Sequence, residues 1–126
     1  MKISTTAVSL TVEDETTSAA FLRRHFGYTE QMSAEGFVSL GHDGGGVNVV
    51  YLRRGLEVLP EEQRHRVADG VLLAFVVEDV AAEERRLRDE GVGITLPLRE
   101  EPWGEKLFQV TDPNGVVIEL VEWAKR

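Results

Sequence analysis

No cysteine occurs in the 126 residues. Disulfides, thiolate metal ligands and cysteine nucleophiles are therefore excluded. Long apolar runs are also missing: Met1-Lys2-Ile3-Ser4-Thr5-Thr6 leads straight into an alternating pattern, with no leader-like or membrane-length segment. The expectation is a soluble, unprocessed, cytoplasmic protein. Positive charge is scarce, with 14 Lys and Arg against 22 Asp and Glu and a net charge of −8. Such a balance repels phosphate backbones and anionic membranes, so neither nucleic acid nor membrane is expected as a partner. It does not choose a small ligand, because the charge can sit on helices and a connector away from any cleft. No Ser-His-Asp order and no glycine-rich nucleotide fingerprint is found.

What is present is periodicity. From Ala7 to Val12, Val8, Leu10 and Val12 alternate with Ser9 and Thr11, the signature of a strand with one face on a core. Glu13-Asp14 ends it. Thr16 or Thr17 can cap a helix running to Phe26, on which Ala20, Phe21 and His25 stand one turn apart, and Gly27 suits its C-cap. Phe37 to Gly41 and Val47 to Leu52 then flank His42-Asp43-Gly44-Gly45-Gly46, a hairpin-like glycine cluster with no helix close enough to make an anion site. Arg53 to Gly70 is charged, and Pro60 heads a potential helical turn.

The pattern then recurs. Leu72 to Val77 is strand-like, Glu78-Asp79 ends it, and a helix over 80–90 stops at Gly91. At one constant offset Val8 falls on Leu73, Leu10 on Phe75, Val12 on Val77, Glu13-Asp14 on Glu78-Asp79 and Leu22 on Leu87. Strands near Ile94 to Leu98, Lys106 to Thr111 and Val116 to Trp123 follow, the last two joined by Asp112-Pro113-Asn114-Gly115. The expected fold is α+β: one domain over 1–126, with a first module over about 1–53, a connector over 54–70 and a second module over about 71–126. Each half is marginal alone, so the copies are expected to pack together or with another chain.

The paired Val-Glu-Asp strand ends, Phe21-Leu22-Arg23-Arg24-His25-Phe26-Gly27, and Trp103-Gly104 followed by Phe108 and the run from Asp112 to Leu120 together resemble the vicinal oxygen chelate family. That family includes glyoxalases, extradiol dioxygenases, and fosfomycin- and bleomycin-resistance proteins. The resemblance implies two βαβββ modules whose curved mixed sheets surround a cup, in a domain-swapped homodimer. Metal-dependent members place four ligands on the cup floor, and the matching positions here are Ala7, Leu72, Val50 and Glu119. Only Glu119 has a donor side chain, and one carboxylate does not make a metal site. A one-residue shift would put Tyr51 in place of Val50. The resemblance therefore points to the bleomycin-resistance branch, whose members bind a drug stoichiometrically without metal or other cofactor. Bleomycin-, mitomycin- and enediyne-like ligands are the types implied, held between subunits with a ring from the Trp-Gly loop, here Trp103. The alternative is a lyase or dioxygenase, metal-dependent with misassigned ligands or metal-free through Glu119.

Parity supplies the expected lining. If Val8, Leu10 and Val12 lie under the helix, then Ala7, Ser9 and Thr11 face the cup, as do Leu72, Ala74 and Val76, with Asn48, Val50, Leu52, Val117, Glu119 and Val121 from later strands. Such a wall suits a hydrophobic or aromatic small molecule. Trp103 either stacks on that ligand or packs on its own sheet. Phe37, Tyr51 and Phe108 are pocket or core residues, Trp123 is expected to pack at the chain end, and Met32 sits near a bend. Glu119 is read as a ligand contact, a base or a residue paired within the fold. Of His25, His42 and His65, only His42 reaches a ligand, if its hairpin folds over the cleft.

Overall fold

The computed structural model describes residues 1–125. The order is β1(Ala7–Val12), α1(Glu15–Phe26), β2(Thr29–Ala34), β3(Phe37–Gly41), β4(Asn48–Arg53), a 3-10 turn (Glu61–Gln63), β5(Leu72–Val76), α2(Val80–Asp89), β6(Ile94–Glu100), β7(Lys106–Thr111) and β8(Val117–Glu122). The chain divides into two compact units, Met1–Asp69 and Gly70–Arg126. Each is a βαβββ module: four strands in the order β1-β4-β3-β2 or β5-β8-β7-β6, with the helix against the sheet. The opening strand runs parallel to the last one and the other pairs are antiparallel, so both sheets are mixed. The expected α+β fold is thus observed.

Every second residue of the central strands turns to the helix. In the first module Leu10, Val12, Val38, Leu40, Val49 and Tyr51 are buried with Ala19 and Leu22 of α1. In the second, Leu73, Phe108, Val110, Ile118 and Leu120 are buried with Val80 and Leu87 of α2. Leu22 and Leu87, equivalent by the repeat, are both fully enclosed. Truncating a leucine so placed costs about 2–5 kcal/mol.

Three local expectations change. The α1 cap is Asp14, not Thr16 or Thr17: its Oδ1 accepts the Thr16 amide at 2.9 Å, the Thr17 amide at 3.4 Å and the Thr16 hydroxyl at 2.5 Å. The hydroxyl bond is the main cause holding the Asp14 carboxyl below its ordinary pKa. Asp79 does the same for α2 by accepting the Ala82 amide, so the repeated Glu-Asp both ends a strand and starts a helix. The buried stripe of α1 is Glu15, Ser18, Ala19 and Leu22; Ala20 is exposed, while Phe21 and His25 pack edge to face at 5.1 Å on a half-buried flank. Met32 lies within a strand, β2, rather than near a bend. Every β2 residue is exposed, so the segment carries no apolar alternation to betray it.

Pro60 does head a 3-10 turn, and the connector folds onto the first module. Gly55 donates to the Arg64 carbonyl, and Ala68 donates to the Thr11 carbonyl on the free edge of β1. The helices are tied to their sheets by opposite charge patterns at equivalent places. In the first module Arg53, ending β4, pairs with Glu15 at the start of α1 (3.3 Å) and with Glu35 (2.8 Å). In the second module Glu122, ending β8, accepts the Val80 amide at the start of α2 (3.1 Å), a carboxylate placed at the positive end of a helix. The β7–β8 turn is organised by buried Asp112, whose Oδ1 accepts the Asn114 amide (2.8 Å) and the Val116 amide (2.9 Å) while Gly115 adopts φ +90°.

Two outcomes follow for stability. Asp112→Ala strips two backbone donors of their acceptor and is expected to lower unfolding free energy by about 1–3 kcal/mol in denaturant titration. Glu122→Ala is expected to cost about 1 kcal/mol, with Glu122→Gln, which keeps an acceptor for Val80, losing less.

Candidate ligand-binding faces

The sheet faces turned away from the helices carry the candidate site, and each module has its own. Strand pairing defines them, because residues opposite each other share a face. In the first module β1 and β4 align Ala7 with Asn48, Ser9 with Val50 and Thr11 with Leu52. Strand β3 adds Ser39 opposite Val50 and Phe37 opposite Leu52. In the second module β5 and β8 align Leu72 with Val117, Ala74 with Glu119 and Val76 with Val121. Strand β7 sets Gln109 opposite Glu119.

The two registers are the same. Ser9 pairs with Val50 as Ala74 pairs with Glu119, and the Ser9 and Ala74 positions coincide in the repeat. Val50 is therefore the structural counterpart of Glu119, and the shifted alternative, Tyr51, is removed. Ala7 and Val50 share one open face; Leu72 and Glu119 share the other. Three apolar side chains and one carboxylate are a poor donor set for a divalent ion, which takes several oxygen or nitrogen ligands. Among the described residues no group of three or more His, Asp or Glu side chains is arranged to hold a metal.

Glu119 is half-buried and paired across the strands: Gln109 Nε2 donates to its Oε1 at 3.0 Å. Beside them Thr95 Oγ1 lies 3.0 Å from Thr111 Oγ1 and 3.2 Å from the Gln109 carbonyl oxygen, which accepts its proton. Around this polar strip the face is apolar and open at β5, where Leu72 is 47% and Val76 49% exposed.

On the first module's open face Ser9 is exposed, and Asn48, Val50 and Phe37 are half-buried. Gln31 of β2 adds a second carboxamide. Its side chain lies over Gly41, where a Cβ would collide with the Gln31 amide nitrogen and stand 3.2 Å from Asn48 Oδ1.

Several expected contacts move. Tyr51 and Phe108 are fully buried on the helix-facing side, where they fill the cores, so they leave the ligand set. Thr11 is buried beside the returning connector and is inaccessible. Val8 is more exposed than the strand pattern implied, since only Leu10 and Val12 are enclosed beneath α1. His42 organises its own hairpin: Nδ1 accepts the Gly44 amide at 2.8 Å, and the ring meets Tyr28 edge-on at 5.1 Å. Tyr28 is in turn tied to the Val47 carbonyl at 2.8 Å.

Trp103 is 63% exposed in a turn closed by Glu101 to Glu105 and Gly104 to Glu101 backbone bonds. Trp123 is 62% exposed, which corrects the expectation that it packs. A Cβ on Gly104 would stand 3.2 Å from Ala124 Cβ, so both indoles flank one contact at the same end of the second sheet. Sequence reasoning also missed Gln31 and Gln109. The first lies on the unrecognised β2; the second was accessible through the parity of β7.

The solved structures place this architecture among known ones. An integron cassette protein from the mobile metagenome of V. cholerae is 27% identical, with a TM-score of 0.74 over 98% of each chain. TioX from Micromonospora sp. ML1 is 26% identical, with a TM-score of 0.73 over 95% of this chain and 98% of that one. A lactoylglutathione lyase from Agrobacterium tumefaciens, 17% identical, has a TM-score of 0.76 over 96% of this chain and 94% of that one, a likeness of fold alone. Among curated proteins no sequence match was found. Residues 3–120 match the Glyoxalase/Bleomycin resistance protein/Dioxygenase superfamily, and the chain belongs to that superfamily.

Proposed function

We propose that this protein is a metal-independent binder of a bulky hydrophobic or aromatic natural product of antibiotic type, protecting its host by sequestration. The observation that carries the reading is the shared register of the two modules. It puts Ala7, Val50 and Leu72 on open faces, and the family resemblance makes these three of the four positions at which metal-dependent members present ligands. Methyl groups there offer area to an organic ligand and nothing to a cation. The neutral polar groups Ser9, Asn48 and Gln31 can orient such a ligand without a charge to neutralise.

Trp103 supports the reading as an exposed indole able to stack on a flat ring, a contact contributing about 1–3 kcal/mol through area and stacking together. The reading includes a homodimer with the ligand between subunits, as in the drug-binding branch. The enzymatic alternative finds less support. Proton transfer through Glu119 needs a second group to complete it; no histidine or lysine stands on the open-face positions of β5, β7 or β8, and Arg99 of β6, which shares the face, is paired with Glu101.

A thermal-shift screen of natural-product antibiotics is the test. A true ligand at a hundred times its dissociation constant is expected to add about 2.7 kcal/mol of apparent stability. It should also quench tryptophan fluorescence and bind roughly tenfold or more weakly to Trp103→Ala. Stoichiometric metal in the purified protein, with a catalytic activity lost on chelation, would overturn the reading.

A further inference from the structure

We infer that the ligand of this face is an organic cation, whose protonated nitrogen is received by the Glu119 carboxylate while Gln109 holds that carboxylate in place. This rests on the binding reading above and adds the chemical class of the ligand. Gln109 can give the Glu119 oxygen only its amide nitrogen, since two oxygens would repel. The carboxamide orientation is therefore fixed, with its carbonyl oxygen left as an acceptor. Glu119 Oε2 is likewise an acceptor, and Gln109 is the sole hydrogen-bond partner of the carboxylate among the described residues. The pair thus offers two acceptor oxygens and no remaining strong donor aimed at a ligand except the second amide hydrogen of Gln109.

Charge narrows the class further. Ala74 and Gln109 face Glu119 across the neighbouring strands, and Val117 and Val121 flank it along β8, so its surroundings are neutral. The nearest chain cations are committed elsewhere. Arg99 of β6, opposite Leu107, shares this face but is paired with Glu101 at 2.6 Å, and Lys106 stands opposite Glu122 on the helix side of the sheet. An apolar or aromatic ligand covering this face strips water from a carboxylate that makes no ion pair among the described residues, an arrangement that burial penalises strongly. The ligand itself must then supply the charge, and an ammonium, amidinium or aminoacridinium-type N–H group fits both acceptors.

The test uses the full-length protein with two planar probes of similar size: proflavine, cationic at neutral pH, and acridone, neutral. Tryptophan quenching gives both affinities. The expected result is at least a tenfold preference for proflavine, lost in Glu119→Gln and reduced several-fold in Gln109→Leu, with acridone affinity unchanged by either. Raising salt from 50 to 500 mM should weaken proflavine more in the wild type than in Glu119→Gln. Glu62→Gln, an equal charge change at an exposed connector residue, should keep the preference. Melting curves establish that each variant is folded. If acridone binds as tightly as proflavine, or the preference survives Glu119→Gln, the cation assignment is wrong while the binding face stands. If neither probe nor any antibiotic binds, the binding-face reading fails and this inference with it.

Discussion

The parallel ladder between the first and last strand of each module sets where every other side chain can point. Strand β1 can reach β4 only by a crossover through α1 and the β2–β3 hairpin, and β5 reaches β8 in the same way. Once Ala7 lies beside Asn48, and Leu72 beside Val117, alternation leaves no freedom: one set of side chains seals against the helix and the other forms the open face. A slip of one residue would exchange Val50 for Tyr51 and expose a fully buried ring. The enclosed leucines at equivalent places in α1 and α2, Leu22 and Leu87, hold each register from the other side.

Within that shared frame the modules have diverged mainly in polarity. Glu119 with Gln109 occupies in the second module what Val50 with Ser39 occupies in the first. The helix starts differ just as sharply: an Arg53–Glu15 ion pair stands on one side, and a Glu122 carboxylate on the Val80 amide stands on the other. A divergence that leaves the cores intact but exchanges charge at the faces is what a repeated scaffold permits. Packing constrains the helix side of the sheet and leaves the open side freer to change.

The fold was largely legible in the sequence because its evidence lies in buried, periodic positions. The offset carrying Leu10 to Phe75 and Leu22 to Leu87 reports two equivalent cores, and Asp112 to Gly115 is a turn by its chemistry. Strand β2 escaped because Thr29 to Ala34 is exposed along its length and has nothing to alternate. Asp14 was read as a strand end when it also caps α1, since one carboxylate can end the first element and accept the amides of the next. For the site, alternation placed Ala7, Ser9, Val50, Leu72 and Glu119 on open faces, but it left Tyr51 between pocket and core, and Tyr51 lies in the core. Pairing across strands was not legible. Gln109 meets Glu119, and Gln31 lies over Gly41, through neighbours distant in sequence or through a bulge. Exposure of Trp123 depends on what the chain end leaves uncovered, which composition does not reveal.

The central claim is the proposal that the apolar open faces receive an organic molecule rather than a metal ion. Methyl-resolved NMR of valine- and leucine-labelled protein tests it most directly. On addition of proflavine, the account expects shifts concentrated at Leu72, Val76 and Val117 of the Glu119 face, with Leu22 and Leu87 unmoved. Paramagnetic broadening centred on Val117 and Val121 around Glu119 at stoichiometric Mn²⁺, with no open-face response to the organic probe, would contradict it.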